Sequence, residues 1–240
     1  MKKGGNRIMI EYYNALNCFT DASTIKSRGV TSSCAGYVLT YHGNVIDKGE
    51  RILYNSTNNE GELYAILMGV KALLSYSYMD TFLNLFSDSR ISVEGLRSWC
   101  INWSKNQAKD GTLYGTNGKR VANQKIIKYI IHTVSYYRIH MQLFCQLGHI
   151  NPYKVDDMNR SIAYFLNCNG VRISKDMATQ LASFNNMVDN NTRNYLNDMA
   201  RKSKGDLSKY GNLLIPINYR LSDKMVDEYI PLLMDKTGRL

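Results

Sequence analysis

Apolar alternation and helical spacing divide the chain into a strand-rich first part and a helical remainder. "ALNCFTDAS" begins apolar and ends polar, and "SCAGYVLTY" and "VIDKGERILY" are rich in β-formers, separated by the turn signal His42-Gly43-Asn44. They predict three strands in an antiparallel meander. From Asn59 to Tyr76 the apolar residues Leu63, Ile66, Leu67, Val70, Leu73 and Leu74 follow the helical period, with Gly69 as a point of close packing. "TFLNLFSDS" reads as a short buried strand ending at Asp88, after which "RISVEGLRSWCINW" resumes helical spacing. "KDGTLYGTNGKR" is a Gly-rich loop, "VANQKIIKYIIHTVSYY" a helix, and "RIHMQLFCQL" the last clear strand. "PYKVDDMNRSIAYFLN" is a helix with Pro152 near its start.

The order β-β-β-α-β-α-α-β-α predicts an α/β fold over residues 1–169, a five-stranded mixed sheet flanked by helices. After Asn169-Gly170 the alternation stops. "NNMVDNNTRNYLNDMARK" and "SDKMVDEYIPLLM" read as polar helices joined by a loop carrying Pro216, so residues 170–240 are expected to form a helical C-terminal extension. A chain of 240 residues buries one good core plus a small appended unit. No apolar run approaches a membrane span, and "MKKGGNRIMIEYY" lacks the apolar core of a signal peptide, which leads us to expect a cytoplasmic protein. Cys18, Cys34, Cys100, Cys145 and Cys168 are scattered without a C-x-x-C pair and read as reduced core residues.

Charge adds a surface to this picture. The formal net charge is +10, and between Ser98 and Arg138 the bases Lys105, Lys109, Lys119, Arg120, Lys125, Lys128 and Arg138 face the single acid Asp110. Trp99, Trp103, Tyr114 and Tyr129 interleave with them, the pattern a phosphate backbone selects. A solvated lysine face is the alternative reading of the same stretch.

One polar residue is out of place. Glu62 lies inside the apolar run of "NNEGELYAILMGV". Asp21 follows the first strand and Asp88 the fourth. If those strands are neighbours, their ends fall side by side and the intervening helix adds Glu62. Converging carboxylates in a partly buried cleft are costly unless a cation sits between them. An all-oxygen donor set favours Mg²⁺ or Mn²⁺ over zinc. Taken singly, each aspartate reads better as a cap or turn former than as a ligand, and Glu62 reads also as a rim position with Asn58 and Asn59 as caps.

"FTDAS", "TNNEGELYA", "FSDSRISVEGLRSW" and "LGHINPYKVDDMNRSIA" occur in an order and spacing that resemble the ribonuclease H family, from about Leu16 to Asn167. The resemblance implies metal-binding carboxylates at Asp21, Glu62 and Asp88, and a mobile loop histidine at His149. It implies substrate contacts at Asn58, Asn59, Ser23 and Arg90, and a basic handle of Trp99, Trp103, Lys105, Lys119 and Arg120. Ala22 departs from the usual glycine. Carried without gaps from Gly148-His149, the family's fourth acid falls on Asn159, with Asp156 one helical turn earlier as the runner-up. The second metal site would then be weakened.

The implied activity is metal-dependent hydrolysis of the RNA strand of an RNA–DNA hybrid by a monomer holding two Mg²⁺ or Mn²⁺ ions, giving 5'-phosphate and 3'-hydroxyl ends. Asn159 and the extension also motivate a second reading, a catalytically weakened scaffold that docks a protein partner through residues 170–240. A resolvase-like DNA-cutting relative is a third, against which the TNN segment and the handle argue. "FNNMVDNNTRNYL" resembles a C-terminal segment of phage-encoded members, and abundant Asn, Lys, Ile and Tyr suggest an AT-rich genome, so a phage-encoded chain is expected.

Overall fold

The computed structural model describes residues 12–76, 82–139, 141–212, 220–222 and 225. Strands β1 (Ala15–Ser27), β2 (Val30–Tyr41) and β3 (Asn44–Leu53) form the expected antiparallel meander. β4 (Phe82–Ser87) and β5 (Met141–Cys145) then add in parallel, giving the sheet order β3-β2-β1-β4-β5. His42 and Gly43 both take positive φ in the β2–β3 turn, as a two-residue hairpin connection demands.

Strict alternation sends neighbouring residues of the central strands to opposite cores. Cys18, Leu39, Leu85 and Leu143 face a first cluster, shared with α1 (Asn58–Ser75) and α4 (Gln124–Tyr137). Phe19, Val38, Phe86 and Phe144 face a second, shared with α5 (Val155–Asn169) and α6 (Lys175–Lys202). The register pairs Phe19 with Phe86 and Phe86 with Phe144, so their rings stack along the sheet at 5.1 and 5.3 Å. Burying each such ring contributes about 1.5–3 kcal/mol.

Small residues set how closely the helices approach. A Cβ at Gly69 would stand 2.8 Å from Thr20 and 2.9 Å from Cys18, so α1 crosses β1 there, where close packing was expected. Gly61 lies equally tight against Ala22 and Ser33. On the opposite face a Cβ at Gly36 would meet Thr192 of α6 at 2.5 Å.

The segment expected as one helix over "RISVEGLRSWCINW" contains α2 (Arg90–Glu94), a π turn over Gly95–Trp99 and α3 (Cys100–Lys105). A π turn adds a residue to one helical loop and re-aims the next stretch of helix. Here it sets Trp99 and Trp103 edge to face, 6.0 Å apart.

The boundary expected at residue 169 falls between α5 and α6, yet α6 packs along β1 and β2 through Met177, Ala178, Leu181, Ala182 and Val188. It is therefore a wall of the second core, because its apolar stripe has no other face to bury. Ser23 and Thr192 join hydroxyls across this contact at 3.0 Å. The helix expected over 222–234, apart from Ser222 and Met225, and the loop carrying Pro216 lie outside the described residues, as does His140.

Candidate active site

The parallel register of β1 and β4 ends at Thr20 and Ser87, so the next residues, Asp21 and Asp88, leave the ladder side by side. Asp21 is not at its strand's end as expected. β1 continues to Ser27 along β2, with Asp21 opposite Gly36. Glu62 arrives from the first turns of α1, whose start is fixed by a capping box in which Thr57 accepts from the Glu60 N–H and Glu60 accepts from the Thr57 N–H. Thr57, not Asn58 or Asn59, is thus the cap, and both asparagines are exposed in the first turn. Asn58 and Glu62 stand four residues apart on one helix face.

One carboxylate oxygen from each of Asp21, Glu62 and Asp88 lies within 4.8 Å of the others. Asp21 and Glu62 are each 4% exposed, which leaves them no solvent to disperse charge. Asp21 Oδ1 accepts from the Ala22 N–H at 2.7 Å, while Asp21 Oδ2 and Glu62 Oε2 are buried with no hydrogen-bond partner. Burial first, then the charge of Asp88, pushes the Asp21 carboxyl up to about 8. Burial, then Asp21 and Asp88, raises Glu62 well above the usual carboxylate range. Burial raises Asp88 too, opposed by a hydrogen bond from Asn185 and by His149. Converging buried carboxylates with unpartnered inward oxygens make a donor set that fits a hard divalent ion.

Two glycines give this cluster room. A Cβ at Gly148 would collide with the Asp88 carboxylate. Gly36, opposite Asp21, admits α6.

The expected fourth position, Asn159 or Asp156, lies on α5. Its buried face carries Met158, Ser161 and Phe165, which turns Asn159 and Asp156 outward, and both are exposed. Asp189 of α6, 8% exposed, stands outside the converging trio but near enough that its charge raises both Asp21 and Asp88. One turn earlier Asn185, 1% exposed, directs Nδ2 to Asp88 Oδ2 at 3.5 Å while accepting from Gln146 Nε2 at 2.6 Å. One turn later Arg193 donates to both Asp189 oxygens at 2.7 and 2.6 Å. The signal was present in the sequence: Leu181, Ala182, Asn185, Val188, Asp189, Thr192 and Leu196 mark one buried stripe with an acid in it, the same anomaly as Glu62.

His149, at positive φ and largely exposed, holds Nδ1 3.7 Å from Asp189 Oδ2. Arg90 is exposed at the start of α2, and Ser23 is engaged with Thr192. Trp99, Trp103, Asn59, Lys119 and Arg120 line one groove of about 540 Å³ that runs from the α1 N-terminus to the basic loop. Lys105 is exposed at the end of α3. Lys128 leaves the basic surface: it is buried, and its Nζ donates to the Gly111 carbonyl at 3.1 Å, pinning that loop.

Acids converging where the parallel ladder between the two central strands of a 3-2-1-4-5 sheet ends define a carboxylate-centred hydrolase of the ribonuclease H-like fold. The RNase H family model matches residues 13–150, more than half of the chain. The chain belongs to the RNase H family. Ribonuclease H of Haemophilus influenzae (strain 86-028NP) is 29% identical over 129 residues, 53% of this chain and 75% of that protein. Ribonuclease H of Actinobacillus succinogenes is 32% identical over 113 residues, 46% of this chain and 64% of that protein. A foamy viral protease-reverse transcriptase, solved in complex with an RNA/DNA hybrid, is 16% identical with a TM-score of 0.49, over 61% of this chain and 19% of that one. The chain thus spans about a fifth of that viral protein's length. The family match ends before α5 and α6, so Asp189 lies beyond it.

Proposed function

We propose that the protein hydrolyses the RNA strand of RNA–DNA hybrids with the help of two divalent cations, Mg²⁺ or Mn²⁺, leaving 5'-phosphate and 3'-hydroxyl ends. The observation that carries this reading is the acid trio with two unpartnered buried oxygens, one helical turn from the exposed Asn58 and Asn59. Asp21, Glu62, Asp88 and Asp189 would hold the cations, which when bound would polarise the scissile phosphate and acidify the attacking water.

The chain's own groups do the rest. Asn59 presents its amide at the mouth of the groove and the exposed Asn58 lies beside it in the chain, where they would meet the 2'-hydroxyls of an RNA minor groove. Trp99 offers an exposed ring and Lys105, Lys119 and Arg120 offer charge to the phosphates of the second strand. His149, exposed beside Asp189, is placed to move a proton near the leaving group. Ser23 is better read as a brace for α6 than as a substrate contact.

The test is cleavage of a labelled hybrid with Mg²⁺ or Mn²⁺ by the parent and by Asp88→Asn, alongside duplex RNA and branched DNA. Cleavage of the hybrid RNA strand by the parent alone is expected. Equal cutting by both proteins, or preference for branched DNA, overturns the assignment.

A further inference from the structure

Arg193 is the feature of the site that metal binding by four acids does not require. Its guanidinium takes both oxygens of Asp189 from one turn along α6, and its side chain is half exposed while that of Asp189 is 11% exposed. Four acids share this region, and the charge of Asp189 adds to the burden on Asp21 and Asp88. A guanidinium nitrogen shared between both oxygens of the outermost acid offsets part of that repulsion without entering the cluster.

We infer that Arg193 is a stand-in cation: it holds Asp189 beside the cluster while the site is metal-free and must share or release that carboxylate when a divalent ion binds. The inference rests on the reading of the acid cluster as a metal site. Its consequence has a definite sign. Removing Arg193 leaves the metal-free acids less compensated and Asp189 unclaimed, so the variant folds less stably without metal and binds a divalent ion more tightly. A merely structural arginine would lower stability equally with and without metal, and would leave affinity unchanged or weakened. His149, 3.7 Å from the same carboxylate, is too exposed to replace it.

The experiment is calorimetric titration of Mn²⁺ into the substrate-free full chain, with melting temperatures in chelator and in saturating Mn²⁺. Arg193→Gln should tighten the weaker Mn²⁺ constant by about fivefold, the scale of a part-exposed ion pair. Its deficit in melting temperature should shrink in Mn²⁺. Arg193→Lys should stay near the parent. Arg201→Gln, which removes the same charge from an ion pair with Asp198 two turns further along α6, should leave the constant unchanged. Equal tightening by the Arg201 and Arg193 variants, or an unchanged or weaker constant for Arg193→Gln, overturns the inference alone. No Mn²⁺ binding by the parent overturns the metal reading and this inference with it.

Discussion

The two faces of the sheet supply the site in different ways. From the α1 face comes Glu62, on a helix whose start is capped by Thr57 and Glu60 and whose Gly61 and Gly69 press onto β1. From the α6 face comes the series Asn185, Asp189 and Arg193, one residue per turn, admitted by Gly36. One oxygen of Glu62 is buried and unpartnered, whereas Asn185, Asp189 and Arg193 each have a polar partner. On the proposed reading, the α1 face holds the charge that would take a cation, and the α6 face adjusts how strongly it is needed.

If that division is right, the largest loss comes from the acids that the strands and α1 converge. Asp88→Asn should lower hybrid cleavage by about 10²–10³-fold, the scale for losing a preorganised charge at a reacting centre. Its fold should survive, because the substitution removes repulsion from a buried cluster. Retention of parental turnover by a folded Asp88→Asn protein would displace the site from the β1–β4 seam.

A smaller loss is expected on the α6 face, and it decides between two helices. Asp189→Asn should cost about 10–100-fold in activity or Mn²⁺ affinity. Asp156→Asn and Asn159→Ala, exposed on α5, should stay within about twofold. The reverse pattern would return the fourth position to α5. The choice could not be made from an ungapped count, because α5 stands between His149 and the helix that reaches the acids. Asp21, Glu62 and Asp88 were legible as a set through the motifs that resemble the family, since each motif is a short local stretch, whereas any one acid taken alone read as a cap or turn former. The acid in the α6 stripe was visible, but its place was not, because the contacts that lay α6 over β1 and β2, Ser23 and Gly36 against Thr192, join residues far apart in the chain. Lys128 misled for a related reason: composition counts its charge, but burial under Gly111 assigns its use.

The α6 contact can also be broken without touching an acid. Gly36→Ala places a methyl against Thr192 and the Gly49 carbonyl, and overpacking of this kind costs about 1–3 kcal/mol. Denaturant melts in chelator should show that loss, and Mn²⁺ affinity should fall with it as Asp189 is pushed from the cluster. A Gly36→Ala protein as stable as the parent would mean that α6 is free to shift, and the α6 face would lose its claim to fixed geometry.

The smallest effect is a slope with pH, and it separates the faces by size. Asp21 titrates near 8 in the folded protein, against about 4 in an unfolded chain. Between those values the native state holds more protons than the unfolded state, so stability conferred by this group is full below pH 4 and is lost as pH rises towards 8. Metal-free protein should therefore melt progressively lower from pH 5.5 to about 8, and Asp21→Asn should flatten the trend. Saturating Mn²⁺ should flatten it as well, since a cation replaces the protons. Asp189→Asn should change the slope less than Asp21→Asn, because its charge is a lesser cause of the Asp21 shift than burial and Asp88. A melting temperature in chelator that climbs across this window would show the trio already ionised at neutral pH, and with it that the α1 face does not await a cation.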